Sequence, residues 1–380
     1  MPDAADRARA EQVLARNPLV DGHNDLPWEA RVQASYDWAG LGFAGGTGRR
    51  THTDLPRLRS GRVGAQWWSV YVPTSLRGQD AVAATLEQIA AVHDLVRLHP
   101  DELALVTTAG EVEAAFAEGR IGCLLGAEGG HCIDGSLETL RELFRRGVRY
   151  LTLTHGRNVA WADSATDEPR LGGLSAFGRE VVADMNRLGM LVDLSHVSAG
   201  TMHDALSASR SPVIFSHSNA RALCDHPRNV PDDVLARVAG NGGVVMATFV
   251  PAFVSQEFAE YEAEMSACAT AQGVDTDDPA AEDAFEAAYV VANPPPIVTA
   301  TDVVAHLEHV RDVCGIDHVG IGSDFDGTTM LPVDLPDVGA FPHLIALLAE
   351  RGWSDEDLAR TAGGNVLRVM RAAEDVARGN

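Results

Sequence analysis

Eight apolar runs of strand length recur along the chain, and segments of helical periodicity stand between most of them. The runs are LVDGHND (19–25), AQWWSVYVP (65–73), IGCLLGAEG (121–129), RYLTLTHG (149–156), GMLVDLSH (189–196), SPVIFSHS (211–218), GGVVMATFV (242–250) and HVGIGSDFDG (318–327). Intervening stretches such as GSLETLRELFRRG, SAFGREVVADMNRLG, VSAGTMHDALSAS and ATDVVAHLEHVRDVCG space their apolar residues for one helix face, and several stop at glycine. Alternating strand and helix implies a parallel α/β sheet. Because the runs are nearly continuous rather than alternating in polarity, both faces of each strand should be covered. Eight such units predict a closed (β/α)8 barrel, the TIM barrel, more than an open sheet.

Two stretches break the rhythm, residues 26–64 and the acid- and alanine-rich 251–300, and both are long for barrel connections. They are read as loops or helical insertions over the mouth of one barrel domain spanning residues 1–380, not as separate domains. Ser354 followed by Asp355, Glu356 and Asp357 reads as a capping-box start for a closing helical region.

The balance of charge narrows the partners. A formal net charge of −24 should repel polyanions, which argues against nucleic acid and against an anionic membrane surface. The five cysteines form no CxxC pair and, being odd in number, cannot all pair within the chain, so they read as reduced, mostly buried thiols. The first residues, MPDAADRARAEQVLARNPLV, lack the apolar core of a secretion signal, and no run approaches the roughly 18 apolar residues of a membrane span. A cytoplasmic protein is expected.

Nearly every run ends in a residue able to bind a metal or move a proton: His23 and Asp25, Glu128, His155, His196, His217 and Asp324. In a barrel those ends converge on one mouth. His23 and Asp25, two apart on a strand, would share a face and could grip one ion, although Asp25 could instead cap the following turn. Glu128 lies in GAEGG, where glycines permit close approach, or where it is simply a turn carboxylate. His196 and His217 close consecutive runs, and neutral imidazole suits zinc. Asp324 could carry a proton, while the competing role of helix N-cap fits Asp326 before Gly327 better. His155 is either functional or bonded to backbone. His93, His203, His306 and His309 fall in helix-like segments and are assigned no chemistry.

Taken in order, VDGHNDLPW, DLPRLRSGRVGAQWWSVYVP, GAEGG, YLTLTHGRN, VDLSHVS, PVIFSHSNARALCDHPRNVPD, GIGSDFDG and GGNVLRV closely resemble the membrane (renal) dipeptidase family of zinc peptidases, from about residue 19 to residue 369. The resemblance implies a metal-dependent amidohydrolase barrel with two Zn2+ ions, His23 and Asp25 on one, His196 and His217 on the other, and Glu128 with a hydroxide bridging both. It further implies that His155 holds the tetrahedral oxygen, that Arg228 in HPRN anchors the substrate's terminal carboxylate, and that Asp324 shuttles the proton. The substrate class it implies is the dipeptide, with L- or D-residues open at the C-terminal position. Members of the family often form homodimers, which leaves that assembly open here. The chain departs from the mammalian members in lacking a secretion signal, a lipid-anchor tail and an evident disulfide pattern, and its 251–300 insertion matches no substrate contact.

Two other functions compete. The same metal chemistry could act on an N-acyl amino acid, a lactam or a lactone, since fold does not settle function. A barrel that keeps the shape and has lost the chemistry is the other, opposed by the presence of all the expected ligands and of Asp324.

Overall fold

The computed structural model describes residues 2–275 and 279–379. Nine strands are present among them: β1 (Leu19–Asn24), β2 (Val63–Tyr71), β3 (Leu103–Leu105), β4 (Ile121–Glu128), β5 (Val148–Thr152), β6 (Leu191–Asp193), β7 (Ile214–Phe215), β8 (Val244–Ala247) and β9 (Val319–Ile321). Each of the eight predicted runs supplies one strand of a closed parallel ring. β1 pairs with β2 and β9, β2 with β4, and the order then runs through β5, β6, β7 and β8 back to β9. The chain is therefore a (β/α)8 barrel. The short β3 takes no part in closure and pairs only with Ile121–Cys123 at the start of β4.

Burial follows from that architecture. Every residue of β1 and of β4 is buried, as expected of strands walled on one side by helices and filled on the other by the barrel's own side chains. Three of the helices are capped by serine: Ser136, Ser175 and Ser198 each accept a backbone N–H in the first turn, ahead of Leu137–Arg145, Ala176–Leu188 and Ala199–Ala208. Ser354 and Asp357 form the expected capping box.

Inside the ring, Val20, Trp67, Leu124, Tyr150, Ile214 and Met246 belong to one buried cluster, which the closing helix Asn365–Arg378 seals from below with Val366, Leu367, Val369 and Met370. Tyr150 fits there only because residue 126 is glycine. A Cβ at Gly126 would stand 1.9 Å from the Tyr150 ring, so the strand position carries no side chain in order to admit one from the next strand.

Both irregular stretches contain helices. Residues 26–64 hold the helices Leu26–Ala34, Trp38–Leu41 and Leu55–Ser60, and 251–300 hold Pro251–Val254, Gln256–Gln272 and Pro279–Ala292. They follow the C-terminal ends of β1 and β8, the face on which barrel sites assemble. All five cysteines are unpaired, and four are buried. Among the described residues no helix is long and apolar enough to cross a membrane.

Candidate metal centre and active site

The strand ends do converge. At the mouth of the barrel a cavity of about 370 Å3 is lined by Asp25, Glu128, His155, His196 and Asp324, together with Trp28, Glu29, Tyr71, Val250, Phe253, Glu262 and Asp326. Trp28 and Glu29 come from the first insertion, Phe253 and Glu262 from the second.

Glu128, at the end of β4, is the hinge of the arrangement. Its Oε2 lies 3.3 Å from His23 Nε2, and its Oε1 lies 2.9 Å from His196 Nε2 and 3.5 Å from His217 Nε2. His23 Nε2 is also 3.2 Å from Asp25 Oδ2 and 4.0 Å from Asp324 Oδ1. Two groupings of metal-ligand type therefore share one carboxylate: His23, Asp25 and Glu128 on one side, Glu128, His196 and His217 on the other.

His23 reaches this position by a different route from strand alternation. Between Asp21 and Asn24 the register of β1 against Gln66 and Trp68 of β2 slips by one residue, a bulge that re-aims the side chains it carries. Asp25 lies beyond the strand, at the start of the helix Leu26–Ala34, and its carboxylate makes no cap hydrogen bond there, so the turn-capping role is not taken up. His196 and Asp324 hold φ of 68° and 66°, the left-handed region, and such backbone strain at a cavity wall is characteristic of functional positions.

The donor set fits divalent cations. His23 Nε2 and Asp25 Oδ1 are buried without a hydrogen-bond partner among the described residues, a costly state unless something electron-poor sits between them. Burial works against a charge on His23, yet Tyr150, Glu128 and Asp25 outweigh it and hold its proton affinity well above the ordinary value. The same negative surroundings favour a bound cation. Burial, with the nearby Arg228 adding to it, keeps His196 and His217 neutral far below their usual titration range, the form that ligates. Burial raises the Glu128 carboxyl's proton affinity, but His23 and His196 reverse the balance and leave it ionised. Burial also lifts the Asp324 carboxyl well above the ordinary range, against the pull of His23. Adjacent cations would draw it back down.

The remaining predicted residues stand around this centre. His155 Nε2 is 4.0 Å from Glu128 Oε1, and its ring lies 4.3 Å from that of His196 and 4.8 Å from that of Tyr71, with burial lowering its proton affinity. Arg228 is 3% exposed and does not itself line the cavity. Its guanidinium packs 5.1 Å from the centre of the lining ring of Phe253, and its Nη2 donates to His217 O at 3.3 Å. Its Nε and Nη1 are buried without partners among the described residues. Asp326 is no helix N-cap: no helix follows Gly327 until Val338–Ala340, and Asp326 instead accepts the His52 backbone N–H at 2.5 Å. His203 and His309 face Asp233 and Asp232, and His306 bonds to the backbone of Ala220 and Val254, so none joins the site.

Several participants gave no sequence signal of their own. Tyr150 places its hydroxyl 2.8 Å from His23 Nδ1, Ser69 donates to Glu128 Oε2 at 3.0 Å, and Ser216 lies 2.7 Å from His217 Nδ1. Tyr150 and Ser69 read in sequence as strand residues. Ser216, and Asp193, which accepts from the Ser216 hydroxyl at 2.7 Å, stand within three residues of predicted ligands, and that adjacency is the signal that could have found them.

Comparison with known proteins gives the same answer for the whole chain. Residues 7–380 match the sequence model of the membrane dipeptidases, peptidase family M19. Among solved structures, a probable dipeptidase, PvdM, from Pseudomonas aeruginosa superposes with a TM-score of 0.84 at 23% identity, covering 98% of this chain and 99% of the other. A metallopeptidase from Rhodobacter sphaeroides, bound to a phosphinate mimic of the dipeptide L-Ala-D-Ala, gives 0.78 at 23% identity over 94% and 99%. An amidohydrolase from Pseudomonas aeruginosa gives 0.73 at 24% over 96% and 98%. These likenesses establish the shared barrel, while the match over residues 7–380 establishes kinship: the chain belongs to the membrane dipeptidase family, M19.

Proposed function

We propose that the protein is a metal-dependent dipeptidase working with two zinc ions. The observation that carries the reading is the division of Glu128, whose two oxygens face different histidine groups at 3.3 Å and 2.9 Å. His23 and Asp25 would hold one ion, His196 and His217 the other, and Glu128 would bridge them. Two bound divalent ions supply a nucleophile from water at neutral pH and polarise the scissile carbonyl. Asp324, 4.0 Å from His23 Nε2 and on the cavity wall, takes up a proton there and returns it to the departing amine. His155 donates to the carbonyl oxygen as it gains charge, a contact whose loss typically costs about 10²–10³ in turnover.

Arg228, whose buried Nε and Nη1 have no partner among the described residues, would supply the positive charge that anchors the substrate's terminal carboxylate. That anchor explains a preference for substrates ending one residue beyond the scissile bond. The five unpaired cysteines support a cytoplasmic location. The test is a substrate panel: dipeptides with L- or D-residues at the C-terminal position, their N-acetylated forms, N-acyl amino acids and lactones. Cleavage of free dipeptides and not of the acylated controls is expected. Turnover confined to acylated amino acids or lactones would move the enzyme to another amidohydrolase class.

A further inference from the structure

The two halves of the proposed metal centre are steadied by separate hydrogen-bond partners deeper in the barrel. On one side, the Tyr150 hydroxyl lies 2.8 Å from His23 Nδ1 and 3.4 Å from the carbonyl oxygen of Gly22. Having a single proton, that hydroxyl accepts from Nδ1–H when it donates to Gly22, and the lone pair of His23 is then left on Nε2, facing the centre.

On the other side the direction is set by charge. Asp193 is fully buried, and its carboxylate receives four donors: the hydroxyls of Thr152 and Ser216 at 2.5 and 2.7 Å, and the backbone N–H groups of Ser216 and Ser195 at 2.8 and 3.2 Å. Four donors on one carboxylate match its ionised, acceptor-only form. The Ser216 hydroxyl must spend its proton on Asp193, so toward His217 Nδ1, 2.7 Å away, it can only accept. His217 is thereby fixed with its proton on Nδ1 and its lone pair on Nε2. Ligating histidines are oriented in this way by partners whose loss typically costs about 10–100-fold in metal affinity.

We infer that Asp193, acting through Ser216, is a positioning residue for the half-site of His217, and that Tyr150 is an independent positioning residue for the half-site of His23. The inference rests on the two-metal reading given above. The Asp193 arm makes a sharp distinction. In Asp193→Asn an amide in nearly the same volume can donate to Ser216, which then donates to His217 Nδ1 and leaves a proton on the nitrogen that should ligate.

The experiment is a Zn2+ titration of metal-free protein in competition with a chromophoric chelator, on wild type, Asp193→Asn, Ser216→Ala, Tyr150→Phe and the Tyr150→Phe/Ser216→Ala pair. Wild type should bind two equivalents. Each single variant should weaken one equivalent about 10–100-fold and leave the other tight, while the pair should weaken both, because the two arms serve different sites. Ser216→Ala keeps the inference testable should Asp193→Asn fold poorly. If wild type binds two equivalents and the variants change only thermal stability, the inference is overturned and the residues are mere core. An unweakened equivalent in the double variant would overturn the independence of the arms. A wild type that binds no zinc would instead overturn the two-metal reading itself.

Discussion

The Nε2 atoms of His196 and His217 lie 2.9 Å apart, both turned toward Glu128. With no cation between them, that distance is met by one neutral imidazole donating its Nε2–H to the other, and burial holds both far below the range in which either would readily take a second proton. A cation bound between them and Glu128 would instead take both lone pairs, and its binding free energy would add to the stability of the fold. Metal removal should therefore be felt in stability: each ion present at about 100 times its Kd contributes roughly 2.7 kcal/mol. Thermal unfolding with and without a chelator should show a lower Tm for the stripped protein, restored by added zinc.

Asp324→Asn removes the proton carrier and keeps its shape. Turnover of a dipeptide should fall about 10²–10⁴-fold, with the zinc content by elemental analysis unchanged. Loss of metal alongside activity would place Asp324 among the ligands instead.

Arg228→Met should remove discrimination between a dipeptide and its C-terminal amide. The wild-type enzyme should favour the free acid in kcat/KM, because Nε and Nη1 have no other partner among the described residues. In the variant the two substrates should converge. A preference for the acid that survives the substitution would exclude Arg228 as the anchor.

Gly126→Ala tests the packing that delivers Tyr150 to His23. The new methyl would meet the ring at 1.9 Å, and overpacking of this kind typically costs about 1–3 kcal/mol. Urea unfolding of the metal-free protein should report it.

Burial pushes the Asp326 carboxyl up to about 7, opposed by the His52 backbone N–H. A carboxyl whose proton affinity is raised in the folded state stays protonated there while the unfolded chain ionises at about 4. Stability is thus full below the unfolded value, falls as pH climbs from about 4 to about 7, and levels off above the folded value. Measured against Asp326→Asn, the wild type should lose ground across that window.

Much of this was written in the chain. The eight runs became the eight barrel strands because each carries enough continuous apolar residues to be buried on both faces, and the residues closing them met at one mouth. The short β3, Leu103–Leu105, escaped notice because three residues make no periodicity. Asp326 looked like a helix cap because Asp-Gly resembles a helix start, but its backbone, at φ 67°, turns into a loop. Tyr150 was illegible for another reason: its partner His23 is 127 residues away, and only closure of the barrel brings the hydroxyl to the imidazole. The helices over the mouth were legible as insertions, whereas Phe253 and Glu262 as cavity walls depended on how those helices fold back.

The most direct test of the central claim is dipeptide hydrolysis measured as zinc is added in known amounts to metal-free enzyme. The account predicts activity that rises to saturation at two equivalents per chain and is absent without metal. Hydrolysis that is full in the metal-free protein, or complete at a single equivalent, would contradict it.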